Sequence, residues 1–253
     1  IKFWKKPKEV RMIVVKAGKR DIVNEAFRVL RTNFEFTIGT HPEQNVIVFT
    51  SFNPGSGKSH IAANMAMSLA IKKKKVLLID GDLRHGSTSM LIHSPGEGLS
   101  DYLNGRIADI HDILYKGEEN GLVKNFDVIP IGTIPPNPTE LLFTPLLEQM
   151  IKTMREEYDY VFIDCPPIEV VADTPIYEQF ADRTIFVVRA GLMERSMLPE
   201  VNALYKEKKF KNMTLILNGT KAQGGRYGSH YGYGYGYGYG YNYNKEKNGG
   251  AKS

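Results

Sequence analysis

Short apolar runs and helix-like segments alternate along most of this 253-residue chain. Six runs are apolar for most of their length, and they cover residues 45 to 51, 75 to 80, 126 to 132, 158 to 164, 183 to 191 and 213 to 219. Apolar strands that alternate with helices indicate a parallel sheet covered on both faces. The pattern therefore predicts an α/β fold, a three-layer α/β/α sandwich with a mostly parallel sheet, whose ligands bind at the C-terminal ends of the strands.

The first helix is predicted in the segment DIVNEAFRVLRTNFEF, which begins at Asp21. Its apolar residues recur at helical spacing and charged residues lie on the opposite side, as in an amphipathic helix that covers a core. The predicted apolar stripe consists of Ile22, Ala26, Val29, Leu30 and Phe34.

The apolar pattern ends after Thr220, where a stretch rich in tyrosine and glycine begins. The segment RYGSHYGYGYGYGYGYNYN, residues 226 to 244, holds eight of the chain's 14 tyrosines. Glycine at every second position makes ordering of the backbone costly, and one face of tyrosines does not offset that cost without a partner. We expect a basic segment over 1–20, a folded domain over 21–220 and a flexible tail over 221–253.

Composition and charge indicate the compartment of this domain and the kinds of partner that it is not expected to bind. Cys165 is the only cysteine, so no internal disulfide can form and a reducing compartment is expected. No apolar run approaches the roughly 20 residues that span a bilayer, so the chain itself is expected to be soluble. The formal charge of +5 is mild, and the lysines after the second predicted helix are expected to cap that helix and not to bind nucleic acid.

The start of the chain points toward a membrane. It opens with Ile1 and continues as the basic, aromatic stub IKFWKKPKEVR, which suits the cytoplasmic side of a membrane with anionic lipids. A start without methionine also suggests that a membrane-spanning part precedes these residues. A solvated flexible end is the alternative for the basic stub.

A glycine-rich turn after the first apolar run carries the clearest chemical signal. In VFTSFNPGSGKSHIAANMA, the residues Gly55, Gly57, Lys58 and Ser59 lie between a predicted strand and a predicted helix. In a phosphate-binding P-loop of this kind, backbone N–H groups surround the phosphates, the lysine reaches the β and γ groups, and the hydroxyl binds Mg²⁺. The general pattern has a glycine where this chain has Phe52, and an ordinary strand-to-helix loop is the alternative.

Three aspartates end two other predicted strands. Asp80 and Asp82 lie in VLLIDGDLR, and Asp164 lies in YVFIDCPP. Parallel strands place these carboxylates at the same edge of the sheet as the P-loop, where they repel one another unless a cation is bound. Bound Mg²⁺ resolves that repulsion, whereas ordinary aspartates that cap the next loop are the alternative.

A candidate base-reading residue ends the last predicted strand, in LILNGT. The amide of Asn218 has a donor and an acceptor that match the edge of adenine. The alternative is an asparagine at a turn before Gly219, which requires no ligand.

Three of these segments resemble motifs of the bacterial tyrosine kinase family. VFTSFNPGSGKS resembles the family's Walker A motif, T-S-x-x-P-G-x-G-K-[ST], which does not require the first glycine. LLIDGDLR resembles the Walker A′ motif, D-x-D-x-R, here Asp80, Asp82 and Arg84. VFIDCPP resembles the Walker B motif, D-x-x-P, here Asp164 and Pro167.

Two further features complete the resemblance, which covers the chain from about residue 20 to the tail. The terminal tyrosine cluster is a family hallmark, and EAFRVLR has Glu25, Arg28 and Arg31 in an E-x-x-R-x-x-R spacing on one helical face. In the family such a motif mediates self-association into a ring, and an octamer is one option here. A solvated salt-bridge face is the alternative for these three residues.

The resemblance implies a P-loop NTPase-like, ATP- and Mg²⁺-dependent protein-tyrosine autokinase. The implied nucleotide-binding residues are Pro54, Gly55, Ser56, Gly57, Lys58, Ser59, His60 and Asn218. The residues assigned to Mg²⁺ are Ser59, Asp82 and Asp164, and those assigned to phosphoryl transfer are Lys58, Asp80, Asp82 and Asp164. Asp80 is the preferred base toward the acceptor hydroxyl, although the roles of Asp80 and Asp82 can be exchanged.

The implied acceptors are the tail tyrosines of a neighbouring subunit in the ring. These are Tyr227, Tyr231, Tyr233, Tyr235, Tyr237, Tyr239, Tyr241 and Tyr243. The implied setting is the cytoplasmic face of the bacterial plasma membrane, with regulation of capsular or extracellular polysaccharide synthesis and export. The implied partners are a tyrosine phosphatase and a transmembrane chain-length regulator, preferably in the same polypeptide, with a separate activator subunit as the alternative.

Two other classes of protein share parts of this pattern. ATPase switches of the ParA/MinD kind have the same P-loop architecture without protein kinase activity, but they carry a signature lysine, K-G-G-x-G-K-[ST], where this chain has Asn53. A non-enzymatic module, whose tyrosine and glycine tail stacks on a partner such as RNA or polysaccharide, would leave the P-loop and the aspartates unexplained.

Overall fold

The computed structural model describes residues 12–38, 41, 43–169 and 173–220. The basic residues 1–11 and the tail 221–253, with all eight predicted acceptor tyrosines, lie outside the described residues. The strands are β1 (Val46–Ser51), β2 (Val76–Asp80), β3 (Phe126–Ile129), β4 (Tyr160–Asp164), β5 (Arg183–Arg189) and β6 (Thr214–Asn218). The helices are α1 (Ile22–Ile38), α2 (Lys58–Ile71), α3 (Leu99–Leu103), α4 (Pro138–Leu141), α5 (Pro145–Glu157), α6 (Thr174–Glu178) and α7 (Leu198–Lys206).

The six strands form one parallel sheet in the order β3-β2-β4-β1-β5-β6. Each strand lies within one of the six predicted apolar runs, so the predicted strands and their parallel arrangement are confirmed. All residues of β1, β2, β3 and β4 are buried. A strand covered on both faces needs apolar side chains at successive positions, which is why these runs do not alternate with polar residues.

Helices cover both faces of the sheet. Along β1, Ile47 and Phe49 pack on the side of α1 and α2, whereas Val46 and Val48 pack on the side of α3, α5 and α6. On that second side, Val201 of α7 packs against β5. The predicted three-layer α/β/α sandwich is therefore confirmed.

Helix α1 presents a different face to the core from the one predicted. Its buried residues are Asn24, Phe27, Arg31, Phe34 and Ile38. Of the predicted stripe only Phe34 is buried, and the prediction is wrong for Ile22, Ala26 and Val29, which are exposed. The physical reason is aromatic packing, because the Phe34 ring lies 5.7 Å from that of Phe162 and turns this side of the helix onto the sheet.

The strand order places the three predicted motifs next to one another. Strand β4 lies between β2 and β1, and Asp80 at the end of β2 pairs directly with Asp164 at the end of β4. The loop of residues 52–57 follows β1 at the same edge. Among the described residues, no helix combines the length and apolar character needed to cross a membrane.

Candidate active site

The loop between β1 and α2 has the backbone shape that a phosphate-binding loop requires. Gly55 and Gly57 adopt positive φ angles of 73° and 91°, which glycine tolerates without strain. A Cβ atom at Gly57 would lie 2.4 Å from the side-chain nitrogen of Asn218, so a larger residue has no room there. Lys58 and Ser59 form the first turn of α2, whose N-terminus favours anionic groups.

Phe52 stands where the general P-loop pattern has its first glycine. Its side chain is buried in a cluster with Phe186, Val201 and Phe210, on the side of the sheet covered by α7. The residue therefore anchors the start of the loop in the core, which explains why an aromatic residue is tolerated at this position.

Lys58 lies among the aspartates. Its Nζ is 3.4 Å from Oδ1 of Asp164 and 3.2 Å from Oγ of Ser59. Burial by itself lowers the pKa of Lys58, but the carboxylates around it, Asp164 first among them, outweigh this effect and hold the pKa above its usual value. The lysine is therefore a charged group, positioned to meet further negative charge such as a phosphate.

Asp80 is held inside the protein and does not line the cavity at this edge. Its Oδ2 accepts hydrogen bonds from N and Oγ of Ser89, both at 2.7 Å, and Oδ1 has no partner. Burial, and secondarily the charge of Asp164, raise the pKa of Asp80 to about 7. The geometry thus favours Asp80 as an internal support of the site and not as the group that meets an acceptor.

Asp82 lies on the wall of a cavity of about 600 Å³ at this edge of the sheet. The P-loop side of that wall consists of Pro54, Gly55, Gly57, Lys58, Ser59 and His60. The rest of the wall consists of Asp82, Arg84, His85, Ser87 and Met90 after β2, Pro166 and Pro167 after β4, and Met12. The structure therefore brings together two of the four predicted transfer residues, Lys58 and Asp82, on the wall, with Asp80 and Asp164 behind it.

Two polar side chains support the P-loop from the side of β5 and β6. Asn218 donates from Nδ2 to the carbonyl oxygen of Ser56 at 2.9 Å and accepts from N–H of Gly219 at 2.8 Å. Arg189 donates from Nη1 to the carbonyl oxygen of Gly55 at 2.8 Å. Both ends of the Asn218 amide are thus engaged within the chain, and its adenine-reading role stays a prediction.

The remaining predicted nucleotide-binding residues lie in or beside the P-loop. Ser56 is buried and donates its hydroxyl to the carbonyl oxygen of Asn53 at 2.8 Å, so its side chain shapes the loop. Asn53 in turn donates to Oε2 of Glu169 at 2.8 Å. His60 lines the cavity, and burial lowers its pKa.

The chain before α1 packs onto the P-loop helix. The side chain of Asn64, fully buried in α2, accepts from N–H of Val14 and Val15 at 2.8 and 3.0 Å and donates to the carbonyl oxygen of Met12 at 2.8 Å. This clasp brings Met12 to the cavity wall beside His60. Residues 12–16, which the sequence assigned to a separate basic segment, are therefore part of the packed structure.

The donor set at the cavity fits the predicted Mg²⁺. Oδ2 of Asp164 is buried without a hydrogen-bond partner, and Oγ of Ser59 lies beside Lys58. In the described part of the chain, no three His, Cys, Asp or Glu side chains are grouped so that they could hold a metal ion. In phosphate sites Mg²⁺ is usually bound by one or two carboxylates together with substrate phosphates, so the absence of such a group is compatible with the prediction.

The predicted interface residues of α1 are divided by the structure. Glu25 and Arg28 are ion-paired and at least partly exposed. The side chain of Arg31 is buried instead and donates from Nη1 to the carbonyl oxygen of Ser68 at 2.9 Å. Arg31 thus differs from Glu25 and Arg28 in this structure, because the backbone of α2 offers it a hydrogen-bond acceptor, and the role of the three residues in an interface stays a prediction.

Sequence reasoning missed several residues that support the site, namely Asn64, Ser89, Thr139, Asp173 and Arg189. Asn64 could have been found as a polar residue within an otherwise apolar helix face. The other four lie in separate segments of the chain, and only the tertiary fold brings them to the motifs.

Comparisons with known proteins agree with this geometry. A family model described as an AAA domain matches residues 44–209. Tyrosine-protein kinase CpsD of Streptococcus agalactiae is 34% identical over 208 residues, which cover 81% of this chain and 87% of CpsD. Tyrosine-protein kinase wzc of Salmonella typhimurium is 37% identical over 195 residues, which cover 75% of this chain but only 26% of wzc. The chain thus spans most of one relative and about a quarter of the other.

Solved structures extend the comparison. The kinase domain of the Escherichia coli tyrosine kinase Etk matches with a TM-score of 0.71 and 32% identity, covering 84% of this chain and 80% of the solved chain. The septum site-determining protein MinD of Pyrococcus horikoshii, complexed with Mg-ADP, matches with a TM-score of 0.56 and 24% identity. At that identity the likeness to MinD concerns the fold alone.

Proposed function

Because the chain belongs to the family of bacterial tyrosine-protein kinases, we propose that it uses ATP and Mg²⁺ to phosphorylate the tyrosine cluster at its own C-terminus, in trans within a homo-oligomeric ring. The observation that carries the proposal is the cavity between the P-loop and Asp82, with a buried lysine on its wall. A chain that ends in eight closely spaced tyrosines supplies a substrate of the required chemistry.

The P-loop end of the cavity binds the phosphates of ATP. N–H groups of residues 55–59 and the ammonium of Lys58 face the β- and γ-phosphates and stabilise the charge that develops there. Phosphoryl transfer depends mainly on alignment and charge stabilisation, so these groups carry most of the catalysis. Ser59 and Asp164 would hold Mg²⁺, which would supply positive charge beside the phosphates. Asp82, the third residue that the sequence assigned to Mg²⁺, is assigned to the acceptor instead.

Asp82 is the carboxylate that orients the acceptor or takes its proton. A tyrosine hydroxyl has a pKa near 10 and needs a nearby base as it attacks. Asp82 reaches the cavity wall, whereas Asp80 is fully buried and bound to Ser89. The two roles left open by the sequence are therefore assigned to Asp82 as the acceptor-facing group and to Asp80 as its internal support.

The exposed side of α1 is the proposed contact between ring subunits. Ile22, Val29 and Phe36 are 79%, 58% and 88% exposed. Together with Ala26 and Asn33 they recur at spacings of four and three residues, which is the seam that two packed helices share. Glu25 and Arg28 flank this seam, so the interface combines an apolar centre with a charged border.

Charge placed in this seam is expected to dissociate the ring. The double variant Val29→Asp and Phe36→Asp buries two carboxylates at each contact, which is strongly unfavourable. Sedimentation of the chain should then show monomers where the wild type shows a larger species. Tyr205→Asp is the matched control, because Tyr205 is also exposed but lies on α7 in the opposite layer. An unchanged size distribution of the double variant would rule out α1 as the contact.

Phosphorylation of the tail is proposed to loosen the same ring. Each phosphotyrosine adds up to two negative charges, and a tail with several of them repels its neighbours. Together these steps regulate capsular or extracellular polysaccharide synthesis and export at the cytoplasmic face of the bacterial plasma membrane. The partners are a chain-length regulator that spans the membrane and a tyrosine phosphatase that resets the tail.

Incubation with labelled ATP and Mg²⁺ separates this proposal from an ATPase switch. A kinase transfers label to the protein, and peptide mapping finds phosphotyrosine within residues 227–243. A ParA/MinD-like switch releases ADP and phosphate and leaves the protein unlabelled. Phosphate release without phosphotyrosine, from a preparation that is oligomeric, would establish the ATPase alternative.

A further inference from the structure

Three segments at the catalytic edge are joined by one closed set of hydrogen bonds. Arg84, two residues after Asp82, is ion-paired through Nη1 with Oδ2 of Asp173. Its Nη2 donates to Oγ1 of Thr139 at 2.9 Å, and Oγ1 of Thr139 donates to Oδ1 of Asp173 at 2.7 Å. Asp173 is fully buried, and both of its carboxylate oxygens are occupied by this set.

The three residues come from separate segments of the chain. Arg84 follows β2, Thr139 lies in the four-residue helix α4, and Asp173 directly precedes α6. Arg84 also lines the cavity. A planar guanidinium with several fixed donors is suited to join two such partners at once, which a lysine ammonium does less well.

Asp82 lies in a turn that also contains Arg84, and the Arg84 side chain extends out of this turn to Thr139 and Asp173. The carbonyl oxygen of Asp82 accepts from N–H of His85 and Gly86, both at 3.1 Å, and its Oδ1 accepts from N–H of Arg84 at 3.3 Å. The contacts of the Asp82 carboxylate are thus local to residues 82–86. These local bonds do not fix where the turn lies relative to the cavity. The bonds from the Arg84 side chain to Thr139 and Asp173 attach the turn to the rest of the fold.

We propose that Arg84, Thr139 and Asp173 form a positioning triad that fixes Asp82 on the cavity wall, where Asp82 faces the acceptor hydroxyl. The terminal nitrogens of Arg84 are bonded to Asp173 and Thr139, so the triad acts through Asp82 and sets the rate of transfer to tyrosine and not the affinity for nucleotide. This inference rests on the proposed kinase function for its kinetic effect, whereas its structural effect can be measured without kinase activity.

Thr139→Val tests the triad with little change of shape, because valine replaces the hydroxyl by a methyl group. The kcat for tail phosphorylation is expected to fall by about 10-fold, with the nucleotide Kd changed by less than about twofold, as for the loss of an outer hydrogen-bond partner of an active-site group. Thr139→Ser keeps the hydroxyl and is expected to restore kcat. Thr153→Val is the matched control on α5, where the hydroxyl bonds only to the carbonyl oxygen of Gln149 in its own helix.

Hydrogen exchange provides a readout that does not depend on catalysis. If the triad joins the three segments, Thr139→Val should speed amide exchange in residues 83–86 and 174–178 as well as around α4, whereas Thr153→Val should change none of them. Faster exchange confined to α4, a matching loss of nucleotide affinity, or an unchanged kcat would each overturn the triad. A wild type that lacks kinase activity would refute the proposed function and would leave the exchange result to decide the triad.

Discussion

Replacing Lys58 with methionine is expected to lower the rate of tail phosphorylation by at least about 100-fold, the usual effect of removing one charge-stabilising donor. Lys58 is buried, and its ammonium lies 3.4 Å from Oδ1 of Asp164. Methionine keeps much of the length of the side chain but leaves the carboxylates at this edge without their cation. The phosphates of ATP would then meet negative charge that no cation compensates, so both the affinity for nucleotide and the rate of phosphoryl transfer are expected to fall.

The matched control is Lys152→Met, the same substitution at an exposed position of α5. It should leave nucleotide binding, phosphotyrosine formation and oligomer size as in the wild type. The measurement is the initial rate of phosphotyrosine formation, followed with labelled ATP, together with the melting temperature of each variant. A Lys58→Met protein that melts like the wild type and still labels its tail at a comparable rate would remove the lysine from the mechanism.

Replacing all eight tail tyrosines with phenylalanine is expected to reduce phosphotyrosine to the background of Lys58→Met, while ATP binding stays intact. The chain's six other tyrosines all lie in the described part, and four of them are buried: Tyr102, Tyr158, Tyr160 and Tyr177. A buried hydroxyl cannot enter another subunit's cavity. Because the proposed acceptors are eight closely spaced tyrosines, any single Tyr→Phe change there is expected to leave most of the signal.

Tyr205→Phe is the matched control for this experiment, because Tyr205 is 62% exposed on α7. It should leave the phosphotyrosine signal unchanged. Label that persists in the eightfold variant would place the acceptors in the folded domain and would contradict the assignment of the tail. Nucleotide binding is measured in parallel, so that a loss of label can be traced to the acceptor.

The strands and the P-loop could be predicted because each depends on a local pattern. A strand buried on both faces must be apolar at successive positions, and the loop needs glycine at position 57, where the backbone φ is 91°. Placing the motifs at one edge required only the rule that parallel strands end together. These features depend on residues that are neighbours in the sequence, so they can be predicted without knowledge of tertiary contacts.

The predictions that were wrong concern which side of an element meets a partner. On α1 the periodicity is compatible with two apolar faces, and the aromatic contacts of Phe34 decide between them. Arg31 is buried because α2 supplies a backbone acceptor at Ser68, a residue 37 positions away. Hydropathy along one helix contains no information about such an acceptor.

For the same reason, the sequence could not decide whether Asp80 or Asp82 is the group that faces the acceptor in the proposed mechanism. Asp80 is the last residue of β2 and Asp82 comes two residues later, and their difference arises from Ser89, which donates two hydrogen bonds to Oδ2 of Asp80. The bond between Asn218 and the P-loop likewise joins residues 162 positions apart in the chain. A residue type can indicate the chemistry available, whereas its assignment to a partner depends on the packed fold.

Because Asn64 binds the backbone of residues 12–15, a fragment of this enzyme that keeps the complete site must be longer than the motifs alone indicate. A protein engineer who cut the chain at the first turn of α1 would keep every recognisable motif. Such a fragment would lack Met12 and would leave the buried Asn64 amide without its three backbone partners, in the helix that begins with Lys58. A chimera or minimal kinase built from this sequence should therefore start upstream of residue 12, so that the cavity keeps its complete wall.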